Sequence, residues 1–360
     1  MVDLELDFIY GPFVKEDLMH MIRSWTSTIT HLVIRYRRDR SKIMTEKCIM
    51  KVSQFLDALN TISLTCFFYH CIKLLEPCIN LEIMCFDAPE MVVQRFEYLP
   101  QNLTELYIPF NHLSLLSLEM LAQNNGAIFE RLQIGSVDAR QLKIICEQMN
   151  LLRTLALNTI DLEETSGLLV LKQLTRIEHL EFTLQEQHID WELSEIASSC
   201  THLKKLFLVS VSVSDVSLNA LAEHCKDLRF LQLIPSMMTD ISITDTGIER
   251  LAGLKKLHHV CLPLHRVSES AMCRLLEQPS ITSLDIRGLV DYEQTLVELF
   301  LDKARANPSV LYKILLFRVS LECPDENQEL PPNLHITRSI RLVDDSYEQF
   351  IQEANLNITE

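Results

Sequence analysis

The chain has 360 residues and a formal net charge of −16 at pH 7, from 49 acidic and 33 basic side chains. This balance argues against nucleic acid as a partner, because phosphates are bound by basic surfaces. The 11 cysteines are an odd number, and the sequence shows neither a signal peptide nor an apolar stretch long enough to span a membrane. We therefore expect reduced thiols, a cytoplasmic or nuclear location and no membrane partner.

A short hydrophobic unit, Leu-x-x-Leu-x-Leu, recurs along the chain at a spacing near 25 residues. Its first positions, including one weaker copy at each end, are Met1, Ile29, Leu59, Cys78, Leu103, Phe129, Leu152, Ile177, Leu203, Leu228, Leu257, Ile281, Leu311 and Pro331. After the copy at Leu103, Asn111 and Leu113 complete the pattern of a leucine-rich repeat. So many copies in near-regular register indicate a repeat array.

Each unit predicts a strand followed by a helix. In the strand, alternate side chains point to opposite faces, so the leucines face inward. Between strands, apolar residues share one helical face, and the clearest groups are Leu118, Leu121 and Ala122, then Leu193, Ile196, Ala197 and Cys200, then Leu218, Leu221, Ala222 and Cys225. Since one repeat cannot bury its apolar face alone, neighbours stack. The predicted fold is an α/β leucine-rich-repeat solenoid, a ribonuclease-inhibitor-like horseshoe with parallel strands concave and helices convex.

The predicted organisation is a repeat array at residues 1–337, with about 12–14 repeats, and an acidic tail at residues 338–360. The chain opens inside a repeat, because Leu4 and Leu6 already occupy strand positions. A solenoid needs a polar cap at each end. The expectation is therefore either that a segment is missing before Met1 or that residues 11–25 form the cap.

The best-preserved stretch reads Cys200-x-x-Leu203-x-x-Leu206-x-Leu208, and the same register returns from Cys225. A second motif reads Ile243-Thr244-Asp245-x-Gly247-Ile248-x-x-Leu251-Ala252. From about residue 190 to residue 290, these motifs resemble the cysteine-containing repeats of F-box/LRR proteins, the substrate receptors of cullin–RING ubiquitin ligases. The resemblance implies a module that recognises a protein substrate for an SCF-type ligase, with catalysis left to other subunits.

No F-box, the segment by which that family binds the ligase adaptor, is visible in the sequence. A longer form carrying one would add the adaptor as a partner. The alternative is a stand-alone protein-binding or inhibitory scaffold, similar to ribonuclease inhibitor in architecture and in its acidic, cysteine-rich composition. The spacing near 25 residues and the Cys-x-x-Leu-x-x-Leu-x-Leu register favour the ligase receptor.

Enzyme motifs are not found: the sequence has no glycine-rich phosphate loop, no His-Glu-x-x-His and no Gly-x-Ser-x-Gly. We predict a non-enzymatic chain without catalytic residues, cofactor or metal. The densest group of possible zinc ligands is Cys66, His70, Cys71 and Cys78, but its spacing favours core packing over zinc. Cys200 and Cys225 occupy equivalent repeat positions, which favours small buried side chains. Glu163 and Glu164 are expected to be solvated.

Two further sets of residues have a predicted location: a basic run and the two tryptophans. The basic run Arg35, Arg37, Arg38, Arg40 and Lys42 follows the strand predicted at residues 29–34. It fits a solvated loop better than a docking site for an acidic partner. The two tryptophans, Trp25 and Trp191, are predicted to pack in the core on the convex side.

The repeat register also predicts which residues line the concave face. An acidic group, Asp3, Glu5 and Asp7, comes first, followed by the polar residues Asn80, Glu82, Glu105, Tyr107, Arg131, Gln133, Thr154, Asn158, His179 and Glu181. Near the C-terminal end, Lys313, Leu315 and Phe317 form a small apolar spot.

Two adjacent repeats break this polar pattern. Lys205, Phe207 and Val209 are expected beside Phe230, Gln232 and Ile234, because neighbouring parallel strands lie about 4.8 Å apart. His259 and Arg287, with Lys205, form the predicted rim. An exposed apolar group with a polar rim is typical of a protein-binding hot spot. These eight residues are the predicted partner-binding site. The other interpretations are coverage by a loop or by the C-terminal tail, and an error in the register.

Overall fold

The computed structural model describes residues 2–8, 29–36, 60–65, 79–87, 92–93, 100–109, 112–235, 242–263, 266–287, 292–317 and 330–339. Several predictions fall outside these residues: the cap at residues 11–25 with Trp25, the basic run beyond residue 36, the cysteine group at residues 66–78, Asn111, and the tail beyond residue 339. Arg35 lies inside a strand that extends to Tyr36, so the basic run does not begin after the strand as predicted.

Parallel strands follow one another along the chain. They are β1 (Val2–Phe8), β2 (Ile29–Tyr36), β3 (Thr61–Thr65), β4 (Ile83–Asp87), β5 (Val92–Val93), β6 (Glu105–Ile108), β7 (His112–Leu113), β8 (Arg131–Asp138), β9 (Thr154–Asp161), β10 (His179–His188), β11 (Lys205–Ser212), β12 (Phe230–Ile234), β13 (His259–Pro263), β14 (Ser283–Arg287), β15 (Tyr312–Phe317) and β16 (Leu334–Ser339). The described part of the main sheet holds 14 of them in chain order, while β5 pairs with β7. Every neighbouring pair in the main sheet is parallel. Each predicted unit thus supplies one strand, and the α/β solenoid is confirmed.

Helices alternate with the strands in the central and C-terminal repeats. They are α1 (Leu115–Asn125), α2 (Ala139–Gln148), α3 (Asp190–Ser199), α4 (Asp215–His224), α5 (Asp245–Leu251), α6 (Glu269–Leu276) and α7 (Glu293–Ala306), with a 3-10 helix at Thr165–Gln173. Five of them begin at a polar residue whose side chain accepts a backbone N–H of the first turn: Ser114, Asp138, Ser214, Thr244 and Ser268. The apolar faces predicted for α1, α3 and α4 are buried.

Among the residues whose burial is described, one core extends from Leu81 to Leu334 between the sheet and the helices. In β11, Leu206 and Leu208 are fully buried, whereas Lys205 and Phe207 are half-buried on the other face. This alternation recurs in successive strands. Each buried leucine contributes roughly 1.5–3 kcal/mol of transfer free energy. The stacked leucines of many repeats therefore stabilise the array, and no repeat is stable by itself.

One unit has a different register from the prediction. The strand pairing aligns Ile83 with Glu105, so this unit begins at Leu81 and not at Cys78. Asn80 and Glu82 therefore lie before β4, where they are exposed, and the prediction that they line the concave face is wrong. Ile83 and Cys85 occupy the concave-face positions of this strand. Two overlapping apolar patterns three residues apart fit this stretch locally. Only pairing with the neighbouring strands decides between them, because a shifted frame would put Met84, which is fully buried, on the wrong face.

The cysteine positions of the repeats have a hydrogen-bonding role. The Sγ atoms of Cys200 and Cys225 lie 3.5–3.8 Å from carbonyl oxygens at the end of the preceding repeat's helical segment. Asn125 and Asn333 donate their side-chain amides to carbonyl oxygens of the preceding repeat in the same way. Thiols are weak donors. Cys200, Cys225 and Asn333 thereby give partners to carbonyl groups that the end of a helix leaves without one.

Aspartates join the N-termini of successive helices, at the end of each helix opposite to the cysteine positions. Asp190 accepts from the backbone N–H of Ser214 at 2.8 Å and from the hydroxyl groups of Ser214 and Ser217. One repeat further on, Asp215 accepts from the N–H and the hydroxyl of Thr244 at 2.8 and 2.6 Å. Asp245 does the same with Ser268. Each N-cap residue therefore links its own helix to the carboxylate of the preceding repeat, and we call this series the aspartate ladder.

Candidate protein-docking surface

The strand register brings seven of the eight predicted docking residues together. Lys205 lies opposite Phe230, Phe207 opposite Gln232, and Val209 opposite Ile234 on β11 and β12. His259 follows beside Phe230 on β13. We call these seven residues the concave patch. Arg287 on β14 pairs with Pro263, so one strand, β13, separates it from Ile234.

The apolar members of the concave patch are half-buried. Phe207, Val209, Phe230 and Ile234 all have intermediate accessibility, and Gln232 is buried with 7% exposure. The sequence predicted a more exposed group. The difference arises because side chains on an inner strand have a neighbouring strand on each side, about 4.8 Å away. Only the outer atoms of these packed side chains are therefore accessible to a ligand.

Ring contacts hold the patch together. The Lys205 ammonium lies 5.0 Å from the centre of the Phe230 ring, a cation–π geometry. The Phe230 ring in turn stacks on His259 at 6.1 Å, and His259 Nδ1 lies 2.8 Å from the hydroxyl of Ser283. These contacts limit the rotamers of Phe230 before any ligand binds, which lowers the entropy that docking would cost.

A second ring contact borders the patch on β10. The rings of His179 and Phe207 are 5.4 Å apart and tilted. His179 Nε2 is 3.7 Å from a carboxylate oxygen of Glu181, which lies opposite Phe207 in the strand pairing. Glu181 is thus the acidic boundary of the patch on the N-terminal side. Asp285, opposite Cys261 on β14, is the boundary on the C-terminal side.

The outward positions of β11–β13 contain no carboxylate. They are Lys205, Phe207, Val209, Phe230, Gln232, Ile234, His259, Cys261 and Pro263. In a chain with 49 acidic side chains this composition is distinctive. Nearer the N-terminus, β6 does carry a carboxylate on this face. Glu105 on β6 accepts a hydrogen bond from Tyr107 and forms an ion pair at 3.2 Å with Arg131 on the neighbouring β8. Burial and the nearby Glu105 carboxylate raise the pKa of the Tyr107 phenol, which remains protonated.

The predicted second apolar spot lies on β15. Lys313 is exposed and aligns with Ser283, while Leu315 is half-buried and aligns with Asp285. On β16, His335 lies beside Lys313. The row of Lys205, Phe230, His259, Ser283, Lys313 and His335 therefore crosses six strands and carries two ammonium groups and two imidazoles.

Trp191 is not in the core, so this prediction is wrong. It is 58% exposed in the first turn of α3, and Val216, at the same place in α4, is also 58% exposed. The helix buries Leu193, Ile196 and Ala197, and the position two before Leu193 lies on the solvent side. Glu163 and Glu164 are exposed between β9 and the 3-10 helix, as predicted.

Cys200 and Cys225 are fully buried, as their repeat positions predict. Burial raises the pKa of both thiols to about 12. We expect iodoacetamide at pH 8 to modify both at least about a hundredfold more slowly than an unhindered thiol, because the thiolate is the nucleophile. Peptide mass spectrometry after native alkylation measures this, with the unfolded chain as the fully reactive control. Rapid labelling of either residue in the folded chain would contradict the buried role.

Among the described residues, no cluster of three or more histidine, cysteine or acidic side chains has the arrangement of a metal site. Within the same residues, no helix combines the length and the apolar character needed to cross a bilayer. The concave side of the described residues is one face of a parallel sheet.

The fold defines the chain as a leucine-rich-repeat solenoid. No model of a known protein family matches it, and no curated protein does. It is similar to the crystal structure of the Rad7 and Elc1 complex in yeast, with a TM-score of 0.57 and 14% identity over 90% of this chain and 88% of that chain. A Listeria monocytogenes internalin, InlF, is also 14% identical, with a TM-score of 0.39 over 76% of this chain and 90% of that one.

Proposed function

We propose that the chain is a protein-recognition module that binds its partner through the concave patch. The observation that carries this is the group of half-buried apolar side chains on β11 and β12, with Lys205 and His259 at its edge. Aromatic anchors in a packed, water-excluding setting contribute most of the binding free energy at protein interfaces. The solved structure similar in fold, Rad7, was crystallised in a complex with another protein, Elc1.

The finer proposal is that this module recognises substrates for an SCF-type cullin–RING ubiquitin ligase. It depends on the resemblance of residues 190–290 to the cysteine-containing repeats of F-box/LRR proteins. In this role the chain contributes binding and no catalytic group. The alternative is a stand-alone binding or inhibitory scaffold, for which the acidic, cysteine-rich composition is the supporting observation.

Truncation of the two aromatic anchors tests the surface. We expect the double variant Phe207→Ala/Phe230→Ala to bind the partner at least about 30-fold more weakly, since hot-spot truncations cost 2 kcal/mol or more. The measurement is capture by the tagged chain from cells, followed by peptide mass spectrometry and affinity measurement on the protein recovered. Trp191→Ala is the matched control, because it removes an exposed aromatic side chain outside the concave face.

The same capture separates the two roles. Recovery of a cullin and its adaptor with the wild-type chain supports the ligase receptor. Recovery of one other protein without either ligase subunit supports the stand-alone scaffold. If the double variant, still folded by circular dichroism, retains the partner as well as Trp191→Ala does, the concave patch is not the docking surface.

A further inference from the structure

The concave patch has a charge that is opposite to that of the chain as a whole. Across β11–β13 the nine outward positions hold a lysine and a histidine but no carboxylate, although the chain has a net charge of −16. Two strands beyond β13, Lys313 is exposed and lies next to His335. Within the described residues, neither Lys205 nor Lys313 has a carboxylate at ion-pairing distance.

The basic groups and the aliphatic side chains occupy different rows of the sheet. Lys205, Phe230 and His259 form the row nearest the strand starts, and Lys313 continues it. Val209 and Ile234 lie four residues further along their strands, on the other side of Phe207. A ligand that crosses the strands therefore meets cations along one edge and aliphatic side chains along the other, with Phe207 between them.

We propose that the patch binds an extended, acidic and apolar segment of a partner protein. This inference rests on the proposed function and specifies the chemistry of the same site. Carboxylates of the segment would lie over Lys205 and Lys313, and its large apolar side chains would contact Phe207, Val209 and Ile234. Charge complementarity of this kind selects partners and speeds association.

The sheet geometry sets the spacing of the acidic positions. Lys205 on β11 and Lys313 on β15 are four strands apart, which is about 19 Å at the usual strand separation. An extended chain rises about 3.4 Å per residue, so the two carboxylates would be about six residues apart. Residues between them would cross β12 to β14, where Ile234 lies on the first of these strands and the buried Asp285 on the last. The apolar residues of the segment are therefore expected next to the carboxylate that lies over Lys205.

Selection from a library of random 12-residue peptides, on phage, against the immobilised full chain tests this. We expect enriched peptides to carry two acidic residues five to seven positions apart with large apolar residues between them. One enriched peptide, made synthetically and labelled, then gives affinities by fluorescence anisotropy. Lys205→Glu/Lys313→Glu should weaken binding at least tenfold, and Lys255→Glu, an exposed lysine outside the concave face, should change it less than twofold.

Different failures remain distinguishable. Peptides without acidic residues that nevertheless lose binding to Phe207→Ala/Phe230→Ala would overturn the acidic preference and leave the docking surface intact. Peptides that bind all of these variants equally would overturn both.

Tail variants Asp344→Lys/Asp345→Lys/Glu348→Lys that bind the peptide more than tenfold better would make the chain's own C-terminal segment the occupant. A dimer in sedimentation that Lys205→Glu abolishes would make it a second copy. Either result would overturn the proposal of a partner segment.

Discussion

Asp190→Ala is expected to lower the free energy of unfolding by about 3 kcal/mol. The substitution removes the acceptor for one backbone N–H and two hydroxyl groups that the fold holds close to the carboxylate. Hydrogen bonds to charged groups contribute about 1.5–3 kcal/mol each, and a buried donor without an acceptor costs about 1–3 kcal/mol. The two hydroxyl groups can turn to other acceptors, which limits the total. Urea denaturation followed by circular dichroism measures the effect.

A surface aspartate provides the matched control. Asp227 also bridges neighbouring repeats, through an ion pair with Lys256 at 2.5 Å, but this pair is on the surface. Exposed ion pairs contribute little to stability. We therefore expect Asp227→Ala to leave the denaturation midpoint unchanged within error. Equal destabilisation by both substitutions would show that the aspartate ladder has no special role.

The stability contributed by Asp190 should depend on pH. Burial opposes ionisation, but the hydrogen bonds from Ser214 and Ser217 outweigh it and hold the pKa of this carboxyl below its usual value. Because the folded-state pKa is the lower one, the stabilisation is complete above the unfolded-state value near 3.9 and is lost as pH falls through the folded-state value. The stability difference between wild type and Asp190→Ala should therefore shrink below about pH 4.

Gly247→Ala is expected to destabilise the chain by about 2 kcal/mol, although it lies inside α5. At an ordinary helical site the replacement of glycine by alanine stabilises by roughly 0.5–1 kcal/mol. Here a Cβ atom would lie 2.4 Å from Asp215 Oδ1 and 2.8 Å from the Leu218 side chain. The contact would displace the carboxylate that binds Thr244, and overpacking costs about 1–3 kcal/mol.

Gly253→Ala is the control for this prediction. This glycine is exposed, and its added Cβ would meet only the carbonyl oxygen of Arg250, at 3.1 Å. Thermal unfolding of both variants at one protein concentration gives the comparison. If Gly247→Ala raises the melting temperature, then α4 and α5 are not packed as closely as the ladder requires.

The leucine spacing predicted the strands and their order well. All 14 predicted units correspond to strands of the main sheet, because the alternation of apolar and polar residues is a local signal that stacking repeats many times. The residues of the concave patch could also be predicted from the sequence. Once Leu206 and Leu208 are assigned to the core, Lys205, Phe207 and Val209 must point to the other face.

Three features required the packing of neighbours. The unit near Cys78 fits two local frames, and only strand pairing selects the one that begins at Leu81. Trp191 looks like a core residue by composition, yet its place in the first turn of α3 exposes it. The half-burial of Phe207 follows from the strands on both sides, which no single repeat contains.

The sequence by itself determined the solenoid, the inward leucines and the buried cysteines, because each depends on periodicity within one repeat. The tertiary structure alone decided the aspartate ladder, since Asp190 and Ser214 meet only when two repeats stack with their helix N-termini aligned. It also decided the cation–π contact between Lys205 and Phe230, two residues that the repeat register had only placed side by side, and the continuation of this row by Lys313. Such contacts join residues about 25 positions or more apart, and their geometry depends on the stagger and curvature of the sheet.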